Sequence, residues 1–180
     1  MNPNGTLFSE WITSLNRELE TSFPFKLTPE QRLFIDNCSS AARRASHPYP
    51  DMAACEAALE SRYGRSVLAI KGNNLFGMKQ HQHPVFGTLV LPTKEYIHDK
   101  WIETQAEWVK YPTLDACFAD RLATLTRLAD VYPAYRKALA AQTPEDFVTQ
   151  VSESWSTDPE RATKVILIWR QYVKDFEQPA

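Results

Sequence analysis

The feature that most constrains the fold is one β-rich stretch, about residues 84–111. The other segments of the chain carry the start signals of helices. The β-rich stretch contains "VFGTLVL" and then "KWIETQAEWVKY", in which side chains of unlike character alternate with a period of two. That period is typical of strands. We expect a small antiparallel hairpin or a three-stranded patch here, segregated from the helices.

Helix start signals recur on both sides of this stretch. Thr28 and Pro29 begin a helix over 29–46, and Gln31 completes a capping box with Thr28. Further helices are expected over 52–62 after Asp51, over 67–71, after Thr113, over 133–141, from Thr143 and from Asp158. The sequence therefore predicts an α+β fold, mostly helical with a small antiparallel β lobe.

The length of 180 residues suits one domain with a sizeable core. Apolar spacing also predicts a helix over 6–21, before Pro24 interrupts the pattern. We expect residues 1–27 to form an N-terminal helix and linker, and residues 28–177 to form the domain. The N-terminal helix would pack on the domain or dock a protein partner.

Composition excludes several functional classes. The net charge is −2, with no basic stripe of the kind that binds nucleic acid. We expect no membrane insertion, since no apolar run reaches 18 residues, and we see no signal peptide at the start. His81 and His83 have a metal-like spacing without a third ligand, so we expect no metal and no cofactor. The three cysteines are expected to be buried thiols: Cys38, Cys55 and Cys117.

Glu60 is the first candidate for chemistry. It borders the apolar stripe of the 52–62 helix, and Glu56 lies four residues earlier on the same face. Like charges at this spacing repel, which raises the pKa of at least one of the two carboxyl groups. Tyr63 and Phe76 could add an apolar wall. Such a carboxyl group suits a general acid for glycosidic cleavage, and the alternative is a solvated helix end.

The segments around Glu60 resemble the glucosaminidase family of bacterial wall hydrolases, glycoside hydrolase family 73. "AALESRYGRS" and "NNLFGMK" are similar to its A-x-x-E-S-x-W-G-x-S and N-L-F-G-I-K patterns. Further on, "TKEY", "WVKYPTLDACFAD" and "WSTDPERATKV" follow in the family's order, the last resembling Y-A-T-D-P-x-Y-A-x-K-I. The resemblance covers roughly residues 29–176.

The resemblance implies a lysozyme-like fold and hydrolysis of the β-1,4 bond after N-acetylglucosamine in peptidoglycan. By position, Glu60 is the catalytic acid and Glu95 the second carboxylate, with Glu103 and Glu107 as alternatives in the same β region. A separation of roughly 6.5–9.5 Å between the carboxylates would give inversion, and the substrate's acetamido group would otherwise attack. The glycan partner lies outside the cytoplasmic membrane, in the periplasm or cell wall, and the export route stays open.

Aromatic side chains near these motifs are candidate sugar-binding residues. We name Tyr63, Phe76, Tyr96 and Trp155 as candidate glycan contacts, although a place in the core is the favoured alternative for Phe76. Asn74 could bind an acetamido group or merely cap its turn.

Three residues depart from the family pattern. Glu56 stands where glutamine is usual, Trp155 where tyrosine is usual, and Tyr63 where tryptophan is usual. The first would affect the acidity of Glu60, and the second the site for the reacting sugar. Other functions therefore stay open: a muramidase, a lytic transglycosylase, or a catalytically weak glycan-binding domain.

Overall fold

The computed structural model describes residues 26–81, 84–97 and 100–177, with side chains described outside 93–103 and 175–177. The predicted helix over 6–21 lies outside these residues. The described part contains α1 Pro29–Arg44, α2 Pro50–Ser61, α3 Val67–Gly72, β1 Gly87–Ile97, β2 Lys100–Lys110, α4 Leu114–Leu128, α5 Pro133–Leu139, α6 Pro144–Trp155 and α7 Arg161–Glu177. The predicted order of helices, strands and helices is confirmed.

The predicted threonine caps explain where α1, α4 and α6 begin. In α1, the Thr28 hydroxyl accepts from Gln31 N, and the Gln31 side chain accepts from Thr28 N, which completes the capping box. Thr113 and Thr143 cap α4 and α6 in the same way, through the backbone amides of Ala116 and Asp146. Each cap satisfies an amide that has no partner inside its helix.

The start of α2 differs from the prediction. The helix begins at Pro50, and its N-cap residue Tyr49 makes no side-chain capping bond. Asp51, the predicted cap, instead accepts hydrogen bonds from Ser39 and from Arg43 Nη2 of α1. Its carboxylate therefore ties α1 to α2.

Helix α2 lies at the centre of the domain and contacts α1, α6 and α7. Its residues are buried on every side from Met52 to Ala58, which the small side chains of "MAACEAA" permit. Phe118 and Leu125 of α4, Phe147 and Val151 of α6, and Val165 of α7 belong to the same core. Cys38, Cys55 and Cys117 are buried free thiols, as predicted.

The β lobe is a two-stranded antiparallel hairpin. Its register runs from Gly87 opposite Lys110 to Ile97 opposite Lys100, and Lys79 adds an isolated bridge to Trp108. The hairpin predicted over 84–111 is confirmed. Among the described residues, no helix is long and apolar enough to cross a membrane.

Candidate active site

Glu60 lies in the last turn of α2, immediately before the helix ends. Arg62, Tyr63 and Gly64 follow with φ angles of 54°, 56° and 75°, so three successive residues adopt the left-handed conformation. Ser61 stabilises this turn because its hydroxyl donates to Ala57 O at 2.6 Å and accepts from Gly64 N at 2.8 Å. Non-glycine residues rarely adopt positive φ, and such strain is common at functional sites.

Gly64 is required by its surroundings as well as by its backbone. A Cβ atom at this position would lie 2.6 Å from the ring of Phe34. The glycine of the E-S-x-x-G pattern therefore lets the chain turn sharply against α1 directly after Glu60.

The Glu60 carboxylate contacts Arg161 at the start of α7. Arg161 Nε lies 2.7 Å from Glu60 Oε1, and the side chains are 1 % and 29 % exposed, respectively. Glu60 is thus partly open to solvent, while its partner is inside the protein. A negative charge at the C-terminal end of a helix is disfavoured by the helix dipole, and the guanidinium offsets that cost.

Arg161 has two further partners. Its Nη1 donates to Ser152 Oγ of α6 at 2.9 Å, and its Nη2 contacts Glu56 Oε1 at 3.0 Å. Burial would lower the pKa of Arg161, but Glu56 and Glu60 raise it above its ordinary value. The guanidinium therefore stays charged and joins the surface carboxylate of Glu60 to the interior.

Glu56 is fully buried and is the centre of an ion-pair cluster, defined here as Glu56, Glu60, Arg121 and Arg161. Its Oε1 atom also lies 2.7 Å from Arg121 Nη2 of α4. Burial would raise the pKa of Glu56, but Arg121 and Arg161 lower it below its ordinary value. The predicted rise in pKa from repulsion between the two carboxyl groups is therefore not found at Glu56, because two cations compensate its negative charge.

Arg121 is fully buried between two aromatic rings. Its guanidinium carbon lies 4.4 Å from the centroid of Phe76 and 4.3 Å from that of Trp155. Its Nε and Nη1 atoms have no hydrogen-bond partner among the described residues. Burial lowers the pKa of Arg121, and Glu56 opposes this shift. Cation–π contact with both rings contributes to holding the charge inside the protein.

The side chains of Phe76 and Asn74 are buried and contact other parts of the protein rather than solvent. Phe76 is only 4 % exposed, and its ring packs edge-on against Phe118. The buried Asn74 amide donates to Met78 O and Val109 O and accepts from Met78 N. Of the alternatives left open by the sequence, these contacts favour a place in the core for Phe76 and a role in fixing the turn for Asn74.

Tyr63 and Trp155 are both partly exposed. The Tyr63 ring meets Phe34 edge-on at 6.3 Å, and burial raises the pKa of its hydroxyl to about 12. Trp155 ends α6 and covers Arg121 with its ring. Each therefore combines a structural contact with some accessible surface.

The second acidic candidates lie on the hairpin. Glu95 and Tyr96 are in β1, opposite Ile102 and Trp101, and Glu103 is in β2 opposite Lys94. The side chains of these residues lie outside the described part. Glu107 is exposed in β2, and its carbonyl accepts from Gln80 N at 2.9 Å.

Sequence reasoning missed Arg121 and Arg161. A signal for Arg121 was present, because it falls on the apolar stripe of α4 formed by Cys117, Phe118 and Leu125. Glu56 likewise interrupts a run of small apolar residues. Buried charges are usually paired, so an acid and a base on two apolar faces indicate an ion pair between them.

The family match covers most of the chain. The glucosaminidase family, described as mannosyl-glycoprotein endo-beta-N-acetylglucosaminidase, matches residues 37–174. The chain belongs to this family. The resemblance inferred from "AALESRYGRS" and the later motifs is confirmed.

Individual relatives agree with this assignment. The chain is 30% identical to the exo-glucosaminidase LytG of Bacillus subtilis, over 91% of this chain and 59% of that protein. It is 28% identical to a probable N-acetylmuramidase of Lactococcus lactis, over 81% of this chain and 34% of that protein. The chain therefore spans about a third to three fifths of the length of these two relatives.

A solved structure supports the fold. The catalytic domain of the autolysin Auto from Listeria monocytogenes matches with a TM-score of 0.69 and 25% identity, covering 92% of this chain and 97% of that domain. The predicted lysozyme-like α+β fold is confirmed.

Proposed function

We propose that this domain is an endo-β-N-acetylglucosaminidase that hydrolyses the β-1,4 bond between N-acetylglucosamine and N-acetylmuramic acid in peptidoglycan. Family membership supports a glycoside hydrolase. The observation that carries the proposal is Glu60 at the end of α2, partly exposed and fixed from inside by Arg161. A general acid needs such a fixed carboxyl group at the surface of the site.

Glu60 would protonate the leaving oxygen of the glycosidic bond. Its Oε1 atom accepts from Arg161 Nε, and a carboxylic acid can keep that bond while its other oxygen carries the proton. The proton would pass to the sugar oxygen as the bond breaks, leaving a carboxylate that the adjacent guanidinium stabilises. The same contact would thus orient the acid and stabilise its product.

Glu95 is proposed to activate the attacking water, with Glu103 and Glu107 as the alternatives on the same hairpin. Its place in β1 supports this role because the family resemblance assigns the second acid to this strand. Tyr63, Tyr96 and Trp155 are proposed as glycan contacts. We do not extend this role to Asn74 and Phe76, since both are buried.

Such an enzyme would act outside the cytoplasmic membrane, where its substrate lies. One relative, from Enterococcus faecalis, is named an autolysin, which supports that location. A protein partner bound through residues 6–21 stays a prediction.

The test is digestion of purified peptidoglycan by the wild type and by Glu60→Gln, with the products reduced by borohydride and identified by mass spectrometry. Glu30→Gln is the matched control, because Glu30 is an exposed glutamate on α1. Reduced N-acetylglucosamine ends from the wild type and the control alone would support the proposal. Reduced muramic ends, anhydro ends, or no products from the folded wild type would contradict it.

A further inference from the structure

The ion-pair cluster has as many cations as anions. Glu56 and Glu60 lie one turn apart on α2, Arg121 comes from α4 and Arg161 from α7. Arg161 is the member that contacts both carboxylates. Removal of Glu56, Arg121 or Arg161 therefore leaves an unbalanced charge among side chains that are at most 1 % exposed, where water compensates it poorly.

Both ends of the Glu56–Arg161 contact depart from the family pattern. Glutamine is usual at the first position, and the Y-A-T-D-P-x-Y-A-x-K-I pattern has tyrosine where "WSTDPERATKV" has Arg161. The buried acid and the cation that contacts it thus occur together in this chain. Their 3.0 Å contact gives a physical reason, since either charge alone would be costly to bury.

We propose that Arg161 is a positioning residue for the proposed reaction: it holds the carboxylate of Glu60 and couples its protonation to the buried charge of Glu56. The inference rests on the proposed function, in which Glu60 is the general acid. Arg161 itself would touch neither the glycan nor the attacking water. Three contacts fix its guanidinium, to Glu60, Glu56 and Ser152, so it presents Nε to the acid in one orientation.

The charged groups around Glu60 determine the expected direction of each change. Arg161 is in direct contact, and Glu56 and Arg121 lie behind it, with His47 beside these two in the interior. Lys164, one turn further along α7, is paired with Asp158 at 2.8 Å and Glu160 at 3.4 Å.

Opposite changes are expected from the two buried partners. Arg161→Gln removes the cation beside Glu60, so the carboxylate is less favoured and Glu60 should release its proton at a higher pH. Glu56→Gln removes a neighbouring anion, so Glu60 becomes the one carboxylate that Arg161 contacts. Glu60 should therefore release its proton at a lower pH. The shift in Arg161→Gln should be the larger of the two, because Arg161 contacts the Glu60 carboxylate directly at 2.7 Å.

The decisive measurement is an NMR titration of protein labelled with 13C at the glutamate carboxyl carbons, with the Glu60 signal assigned from its absence in Glu60→Gln. Lys164→Gln is the matched control, because it also removes one positive charge from α7. We expect a higher midpoint in Arg161→Gln, a lower one in Glu56→Gln and no change in the control. This titration needs no turnover, so it judges the inference even if the proposed function fails.

Rates on solubilised glycan strands give the second readout. In the pH profile of kcat, the alkaline limb should move to higher pH in Arg161→Gln and to lower pH in Glu56→Gln, as the titration midpoints do. Arg161→Lys keeps the charge but cannot make all three contacts, so it should keep the wild-type midpoint while kcat falls about tenfold and KM changes little. If Arg161→Gln does not fold, the kcat of Arg161→Lys still tests whether Arg161 positions Glu60.

Three results would overturn the inference: equal midpoints in the wild type and both buried variants, shifts of the same sign, or full kcat in Arg161→Lys. An active wild type with any of these results would contradict the role of Arg161 alone. An inactive wild type with the expected titration shifts would contradict the proposed function and support the electrostatic coupling.

Discussion

The two glutamates proposed for the reaction lie in two unlike regions of the molecule. Glu60 ends a helix at the centre of the helical body, and buried charges from two other helices determine the position of its carboxylate. Glu95 is on a two-stranded hairpin, eight residues beyond Gly87, or roughly 26 Å along an extended strand. The helical body positions one acid through buried ion pairs, and strand pairing positions the other.

The hairpin meets the helical body at its base, among the described contacts. Tyr111 N donates to Gly72 O at 2.8 Å, and Val109 N donates to Met78 O at 3.0 Å. The Asn74 amide joins the same two segments. A two-stranded hairpin is marginally stable alone, so this base determines where the strand that carries Glu95 can lie.

The largest effect on stability is expected in the helical body. Arg121→Met removes a fully buried cation and leaves Glu56 with one partner, so the free energy of unfolding should fall by about 3–5 kcal/mol. Chemical denaturation measures this. Arg136→Met is the control, because its ion pair with Asp130 is 65 % and 94 % exposed and should change stability by less than about 1 kcal/mol. Equal effects would show that burial of the cluster does not matter.

The helical body should also lose stability in acid through His47. Burial and the nearby Arg121, opposed by Glu56, together lower the pKa of His47 to about 4. Between pH 6.5 and 4 the unfolded chain binds a proton that the folded chain does not, so stability is full above 6.5 and falls by about 3 kcal/mol toward pH 4. The pKa of Glu56 is lowered in the folded protein, so Glu56 adds to this loss of stability only below pH 4.5, the ordinary pKa of a glutamate.

His47→Leu should flatten this slope, measured as the free energy of unfolding by urea at several pH values. The exposed His81→Leu should keep the wild-type slope. An unchanged slope in His47→Leu would assign the acid sensitivity to another group.

The hairpin should affect catalysis more than stability. Glu95→Gln should lower kcat by about a hundredfold, as expected for loss of a general base, with thermal unfolding unchanged. Glu103→Gln and Glu107→Gln should retain near wild-type rates. A full loss in either of those instead would move the second carboxylate to that residue, and an unaffected Glu95→Gln would favour a mechanism without one.

The smallest effect is expected where the two regions join. Asn74→Ala removes three buried hydrogen bonds and should cost about 2 kcal/mol. Hydrogen exchange at Val109 and Tyr111 should quicken more than exchange in α2. Asn37→Ala, at an exposed position of α1, should be neutral or slightly stabilising. Uniformly faster exchange in Asn74→Ala would indicate global destabilisation instead.

Much of the fold was predictable because its signals are local. The capping box at Thr28 and the alternation within 100–110 depend on neighbouring residues, and both were found where predicted. Asp51 was predicted wrongly as a cap because its partners, Ser39 and Arg43, belong to another helix.

The site was predictable only in part for the same reason. Glu60 could be singled out from its place at a helix end, but the cation beside it lies 101 residues further along the chain. The contact of Phe76 and Trp155 with a buried arginine could not be predicted, because nothing in their own segments indicates the arginine between them.

The most direct test of the account is the rate at which Glu60→Gln releases fragments from peptidoglycan, compared with the wild type at equal concentrations of folded protein. Glutamine preserves the size of the side chain and can still contact Arg161, but it cannot donate the proton. We predict a fall in rate of at least about a hundredfold, with unfolding within about 1 kcal/mol of the wild type. A variant that keeps a tenth or more of the wild-type rate would contradict the assignment of Glu60 as the catalytic acid.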